Sequence, residues 1–213
     1  MFVRVWDLPT RIFHGAIIGL IAYLWWTERT DDITNHKLAG FALIALVAFR
    51  IFWGIVGSQT ARFSDFVKGP RAAWRYMTGR GSTSLGHNPI GGWSVVALLC
   101  LIAVECLLGL FAIDEDGLES GPLAPTIGLD WAQQAAHWHA MLFNVLLAVI
   151  GVHIGAVLVY SLFGKSLVLP MITGRRGTTK PSTLPTFAPW WLALCGVVLA
   201  AAAFYGLWRL DNS

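Results

Sequence analysis

The stretch AHWHAMLFNVLLAVIGVH, residues 136–153, sets three histidines into a run that is otherwise almost wholly apolar. A helix rises about 1.5 Å per residue and the hydrocarbon of a bilayer is about 30 Å thick, so about 20 apolar residues span it. This run and its flanks are long enough. The rest of the chain shares the character: 56% of its 213 residues are hydrophobic and 13% are charged, about half the charged share of a soluble domain. Eleven Trp residues fit the same solvent, because amphipathic rings gather at the membrane interface.

Working outward, five apolar segments are predicted to span: about residues 11–26, 36–57, 90–112, 132–163 and 188–208. The predicted fold class is therefore all-α, an integral membrane helix bundle. The opening MFVRVWDLPTRIFHG carries Asp7, Pro9 and Arg11 ahead of its apolar run, and no small-residue cleavage site follows. A retained first helix is expected rather than a removed signal peptide. Cys100, Cys106 and Cys195 all lie in apolar runs, with no C-x-x-C pair and no C-x-x-C-H for covalent haem attachment.

Between the second and third spans, residues 58–88 are basic with Phe63, Phe66, Val67, Trp74 and Met77 interleaved, a pattern expected to lie in part along the membrane surface as an amphipathic helix. The loop IDEDGLESGPLAPTIGLD is acidic and has no Lys or Arg. Basic loops stay in the cytoplasm. With the N-terminus inside, the cytoplasmic segments hold Arg4, Arg11, Arg62, Lys68, Arg71, Arg75, Arg80, Lys165, Arg175, Arg176 and Lys180, and the outer ones only Arg29, Lys37 and Arg209. The predicted orientation in the inner membrane is N-terminus cytoplasmic and C-terminus periplasmic. The net charge of +3 then reflects sorting between leaflets and implies no nucleic-acid partner.

On this topology the histidines fall at two depths. His139 and His153 are 14 residues apart, which returns to within about 40° of one helix face and separates them by about 21 Å. His36, at the outer start of the second span, matches His139 in depth; His14, at the inner start of the first, matches His153. Two bis-imidazole pairs across a membrane suit two six-coordinate haems, whose filled axial positions favour electron transfer over oxygen activation. Gly40, Gly151 and Gly155 would leave room for a flat macrocycle. The alternative for any one intramembrane histidine is a hydrogen bond to a neighbouring helix. Zinc is disfavoured, since each pair lacks further ligands. His137 points about 200° away from His139 and is expected to serve packing or the interface; its replacing His139 as ligand is the alternative.

The segments VWDLPTRIFH, NHKLAGFALIALVAFRIFWGIVGSQTARFSDFVKGP, GHNPIGG and HAMLFNVLLAVIGVH cover most of residues 3–175. In order, spacing and sequence they resemble the bacterial cytochrome b561 and nickel-hydrogenase b-type cytochrome superfamily. The resemblance implies a four-helix core over residues 1–175 that holds two non-covalent b haems and is linked to the quinone pool. It assigns His14 with His153 to the inner haem and His36 with His139 to the outer one, the pairs that depth and phase also suggest. The chain departs from the pattern at Ala140, where relatives often carry Glu. It also adds residues 176–213, a linker and fifth span without an evident role.

Four further polar features stand out. Arg50 lies 14 residues after His36 on the same stripe and is expected to pair with a haem propionate or to snorkel to the inner interface. Glu105 is the single acid inside a predicted span, a functional position by default, with hydrogen bonding to a ligand histidine, proton transfer or a protonated structural role as readings. By resemblance, Asn88, Gly91 and His153 mark a quinone site at the inner end of the third span, although Asn88-Pro89 also reads as a helix start. His87 beside them reads as a loop residue ahead of a Pro-initiated helix or as a polar group on the quinone side. Asp114, Glu115, Asp116, Glu119 and Asp130 form either a solvated loop or a surface steering a basic periplasmic partner.

The function expected from these features is a diheme cytochrome b carrying electrons between the quinone pool and a periplasmic partner, such as a c-type cytochrome or a dehydrogenase module. The alternatives are a superoxide oxidase reducing quinone, the membrane subunit of a hydrogenase or dehydrogenase, and a non-redox transporter or proton channel with relaying histidines.

Overall fold

A computed structural model describes residues 2–80, 86–114, 116–164, 166–177 and 184–213. Glu115, Lys165 and Lys180, counted above among the loop charges, lie outside the described residues. The chain is an all-α membrane protein, with five helices among the described residues long and apolar enough to cross a bilayer: α1 (Leu8–Arg29), α2 (Ile33–Val56), α5 (Pro89–Phe111), α6 (Leu129–Leu162) and α8 (Trp190–Asp211). Two short helices, α3 (Phe63–Phe66) and α4 (Pro70–Met77), follow α2, and α7 (Val168–Thr173) follows α6.

The predicted spans were read from apolar runs, and the observed helices exceed most of those runs because polar residues start and stop them. Asp7 caps α1: its Oδ1 accepts the Thr10 amide at 2.8 Å, satisfying one of the donors a helix start leaves open. Its Oδ2 accepts from Trp53 Nε1 at 3.0 Å, which anchors the cap on the far end of α2. Asp32 caps α2 in the same way through the Asn35 amide at 3.3 Å. Asn88 caps α5, its Oδ1 accepting from the Gly91 amide at 2.6 Å.

Two compact units make up the chain: residues 1–14, 50–97 and 151–196, and residues 15–49, 98–150 and 197–213. In the first unit the N-terminal strand β1 (Phe2–Arg4) pairs antiparallel with β2 (Arg175–Gly177), Val3 opposite Arg176. Val3, Val5 and Trp6 pack there against Met171. Phe63 and Phe66, expected in part at the membrane surface, turn inward instead: Phe66 is buried, and Gly54 lies so close under the Phe63 ring that a Cβ would collide with it. α4 keeps the expected surface character, with Arg71 and Arg75 beside exposed Trp74 and Met77.

Burial is uneven among the spans. α2 is the most enclosed, with Phe41, Leu43, Val47, Phe49 and Trp53 all buried, whereas α6 and α8 bury almost none of their apolar side chains within the chain. Leu158, Leu162, Val197 and Val198 are exposed. Each would forfeit about 1.5–3 kcal/mol in water, so these faces require lipid, or another apolar body, against them.

Candidate haem sites

One continuous helix carries both fourth-span histidines. α6 has 34 residues and is about 50 Å long at 1.5 Å per residue. His139 lies 10 residues from its start and His153 nine from its end.

In the second unit His36 and His139 come together, their ring centroids 6.2 Å apart and their planes at 88°. Metal–imidazole bonds are about 2 Å long, so two of them in line, with the inner half of each ring, amount to about 6 Å. The spacing is that of two imidazoles with a metal between them. Both rings are also held from behind. His36 Nδ1 lies 3.1 Å from the Leu24 carbonyl and 3.2 Å from Thr27 Oγ1. Thr27 itself donates to the carbonyls of Tyr23 and Leu24, which leaves its oxygen to accept. His139 Nδ1 lies 3.0 Å from the Glu105 carbonyl. A carbonyl only accepts, so in both rings Nδ1 bears the proton and Nε2 keeps its lone pair, the form in which imidazole binds a metal.

Two groups around His139 refine this picture. The Glu105 carboxyl is buried, with Oε1 3.3 Å from His139 Nδ1, but among the described residues neither carboxyl oxygen makes a hydrogen bond; the main-chain oxygen holds the ring. One helical turn on, Gly109 faces the imidazole, and a Cβ there would lie 3.1 Å from His139 Cε1. His137 is exposed, its ring against Trp138, with no part in this pair.

The first unit holds the other set. His14 and His153 are close enough to interact electrostatically, and His153 Nδ1 lies 3.3 Å from Ser94 Oγ. Arg50 does not reach solvent: it is 2% exposed, with the rings of Phe63, Phe13 and Phe66 at 4.8, 5.9 and 5.9 Å from its guanidinium carbon. Its Nη1 is buried without a hydrogen-bond partner among the described residues. Leaving a buried cationic donor unsatisfied is expensive, so the position suits a ligand that brings its own carboxylate.

His87 is the loop residue ahead of the Pro89 helix start that its plain reading expects. Its ring sits between Phe66 and Trp6, with centroids at 4.4 and 4.8 Å. Burial first, then the charges of Arg50, His153 and His14, push its pKa down to about 3, so it is neutral at physiological pH. Asn88 has both polar atoms engaged, since beyond the cap its amide donates to Tyr160 Oη at 3.2 Å, which also meets Tyr76 Oη at 3.1 Å. Gly91 lies beside that cap.

Do these residues fit a haem? Among the described residues no group of three or more His, Cys, Asp or Glu converges on one point; each histidine pair would supply two imidazole nitrogens to a haem. Gly15, Gly19, Gly40, Gly151 and Gly155, all within five residues of a pair histidine, have no atom within 4 Å of where a Cβ would stand. Open space of the kind a flat ring needs lies beside these histidines, and Arg50 would be available to a propionate.

Sequence reasoning did not reach Leu24, Thr27 or Ser94, which meet their histidines across gaps between helices that leave no local pattern. Gly109 did leave a signal, one turn after the lone intramembrane acid.

The chain is similar to the probable Ni/Fe-hydrogenase B-type cytochrome subunit of Azotobacter chroococcum mcd 1, 23% identical over 172 residues, which cover 67% of this chain and 68% of that protein. No solved structure matches it. The family model for prokaryotic cytochrome b561 matches residues 5–174, from the cap of α1 to the end of α7. With four of the five apolar spans and the paired histidines inside the matched segment, the chain belongs to the prokaryotic cytochrome b561 family of multi-pass membrane b-type cytochromes.

Proposed function

We propose that the chain is a diheme cytochrome b that carries electrons across the inner membrane between the quinone pool and a periplasmic redox partner. The observation that carries this reading is the His36–His139 pair, 6.2 Å between ring centroids with both Nδ1 atoms turned to main-chain carbonyls. Haem b would supply the one-electron chemistry. His36 and His139 would hold one haem and His14 and His153 the other, with Arg50 binding a propionate.

The quinone end is assigned to the side of His153. Asn88, Tyr76 and Tyr160 form a hydrogen-bonded group near the start of α5, and Ser94 on the same helix meets His153; these are polar atoms of the type that orient a quinone head. The distribution of Lys and Arg supports a cytoplasmic position for this end and a periplasmic one for the acidic loop.

A second reading, the membrane cytochrome subunit of a hydrogenase or dehydrogenase, is favoured by the Azotobacter relative. A superoxide oxidase is less well supported, because an anion needs free cations near the outer pair. There Lys37 is engaged by Asp211 and Glu119, and Arg29 lies beside Glu28.

Optical spectroscopy of the purified protein separates these readings from a proton channel. A reducible b-type spectrum with two haems per chain is expected; protein without a Soret band would end the haem assignment. Quinol added to the oxidised protein should reduce it, and Tyr160→Phe should slow that reduction without loss of haem.

A further inference from the structure

α8 lies beyond the matched residues 5–174 and carries none of the four histidines. Its last residue nevertheless ends on the site. Asp211 Oδ1 lies 3.0 Å from Lys37 Nζ, with 17% and 23% of the two side chains exposed. Lys37 is the residue after His36 and the fifth residue of α2. The same ammonium lies 3.5 Å from Glu119 Oε2 and donates to the Ser120 carbonyl at 3.3 Å.

The loop that supplies Glu119 and Ser120 is itself seated against the His139 support. Ser120 bridges to Ile113, and Gly121 packs on the carbonyls of Gly109 and Leu110 so closely that no side chain would fit. Gly109 is the residue that faces the His139 ring. Lys37 thus joins three segments: the turn that bears His36, the loop that rests on the His139 support, and the end of α8.

We propose that α8 is an integral part of the His36–His139 site, with Asp211 as a positioning residue: it neutralises Lys37 and fixes the first turn of α2, and so sets the placement of His36 and the charge beside it. This inference rests on the reading of His36 and His139 as haem ligands. An exposed pair would contribute little, but this one is mostly shielded, and removing one partner leaves the other charge uncompensated. With Asp211 gone, the net charge beside His36 becomes more positive and the reduced iron is favoured; with Lys37 gone, the reverse holds.

The test is a redox titration of the full-length protein, followed optically, in which the component belonging to this site is identified as the one missing from His36→Ala. Asp211→Asn should raise the midpoint of that component alone, Lys37→Met should lower it, and Asp211→Glu, which keeps the charge, should restore the wild-type value. Glu119→Gln, at a longer distance and more exposed, should give a smaller upward shift, and it serves as the test if Asp211→Asn does not accumulate in the membrane. In the Asp211→Asn/Lys37→Met double variant the shifts should not add, as expected of groups in contact.

Full haem content with both midpoints unchanged in Asp211→Asn and in Glu119→Gln, or with both components shifted equally, would overturn the inference while leaving the ligand assignment intact. Wild-type protein without a b-type spectrum would instead overturn the ligand assignment.

Discussion

The two histidine pairs share one helix and one side-chain type, but the chain builds their surroundings differently. Around His36 and His139 the main chain does the holding: carbonyls of Leu24 and Glu105 accept from Nδ1, and the carboxylates of Glu119 and Asp211 flank Lys37, the residue after His36. Around His14 and His153 the partner of one ring is the Ser94 hydroxyl, and the nearby charge is the Arg50 guanidinium under its phenylalanines. Hydrogen bonds to carbonyls raise the basicity of a ligand imidazole and favour oxidised iron; a buried cation favours reduced iron. The pairs therefore differ in the direction in which each would shift a redox potential, with the His36–His139 site the lower of the two.

The strongest way to break the comparison is to remove what the pairs share. His139→Ala/His153→Ala takes one ligand from each and should yield a colourless membrane protein, whereas either single change should keep one haem, as measured by haem-to-protein ratio. A smaller effect is expected from Arg50→Met. It should lower the midpoint of the His14–His153 haem by about 60 mV, equivalent to a tenfold change in a one-electron equilibrium, and leave the other midpoint in place. Equal movement of both would show that the charge difference does not separate the sites.

Gly109→Ala sharpens the other side of the comparison. Its Cβ would press on the His139 ring at 3.1 Å, so the ring must give way by tenths of an ångström. Low-temperature EPR should show one altered low-spin haem signal and one unchanged. The smallest effect concerns acid. His87 is neutral down to about pH 3 in the fold but binds a proton near its ordinary 6.5 when unfolded. Stability is therefore fully present above pH 6.5 and falls as pH drops from 6.5 toward 3. Thermal melts of His87→Gln over that window should show a shallower decline than wild type.

Much of this arrangement is legible in the sequence. Hydrophobic length alone locates the spans, because the bilayer thickness fixes how many residues a helix must supply. Helix phase places His139 and His153 on one stripe, and depth pairs each with a partner. What apolar length does not show is where polar side chains extend a helix, as Asp7 and Asp32 do by capping α1 and α2. Nor does it show a strand pair as short as β1 and β2, whose partners lie at opposite ends of the matched segment. Arg50 could be placed in depth but not distinguished from a snorkelling side chain until Phe13, Phe63 and Phe66 were seen to enclose it. Ser94, Thr27 and the Lys37–Asp211 contact join residues far apart in the chain, where no spacing rule applies.

The choice of His139 over His137 is the point on which the site geometry depends most directly. Haem content of His137→Ala and His139→Ala, measured beside the wild type, tests it. Two haems per chain in the wild type and in His137→Ala, with one in His139→Ala, is the predicted result; loss of a haem in His137→Ala with none lost in His139→Ala would contradict it.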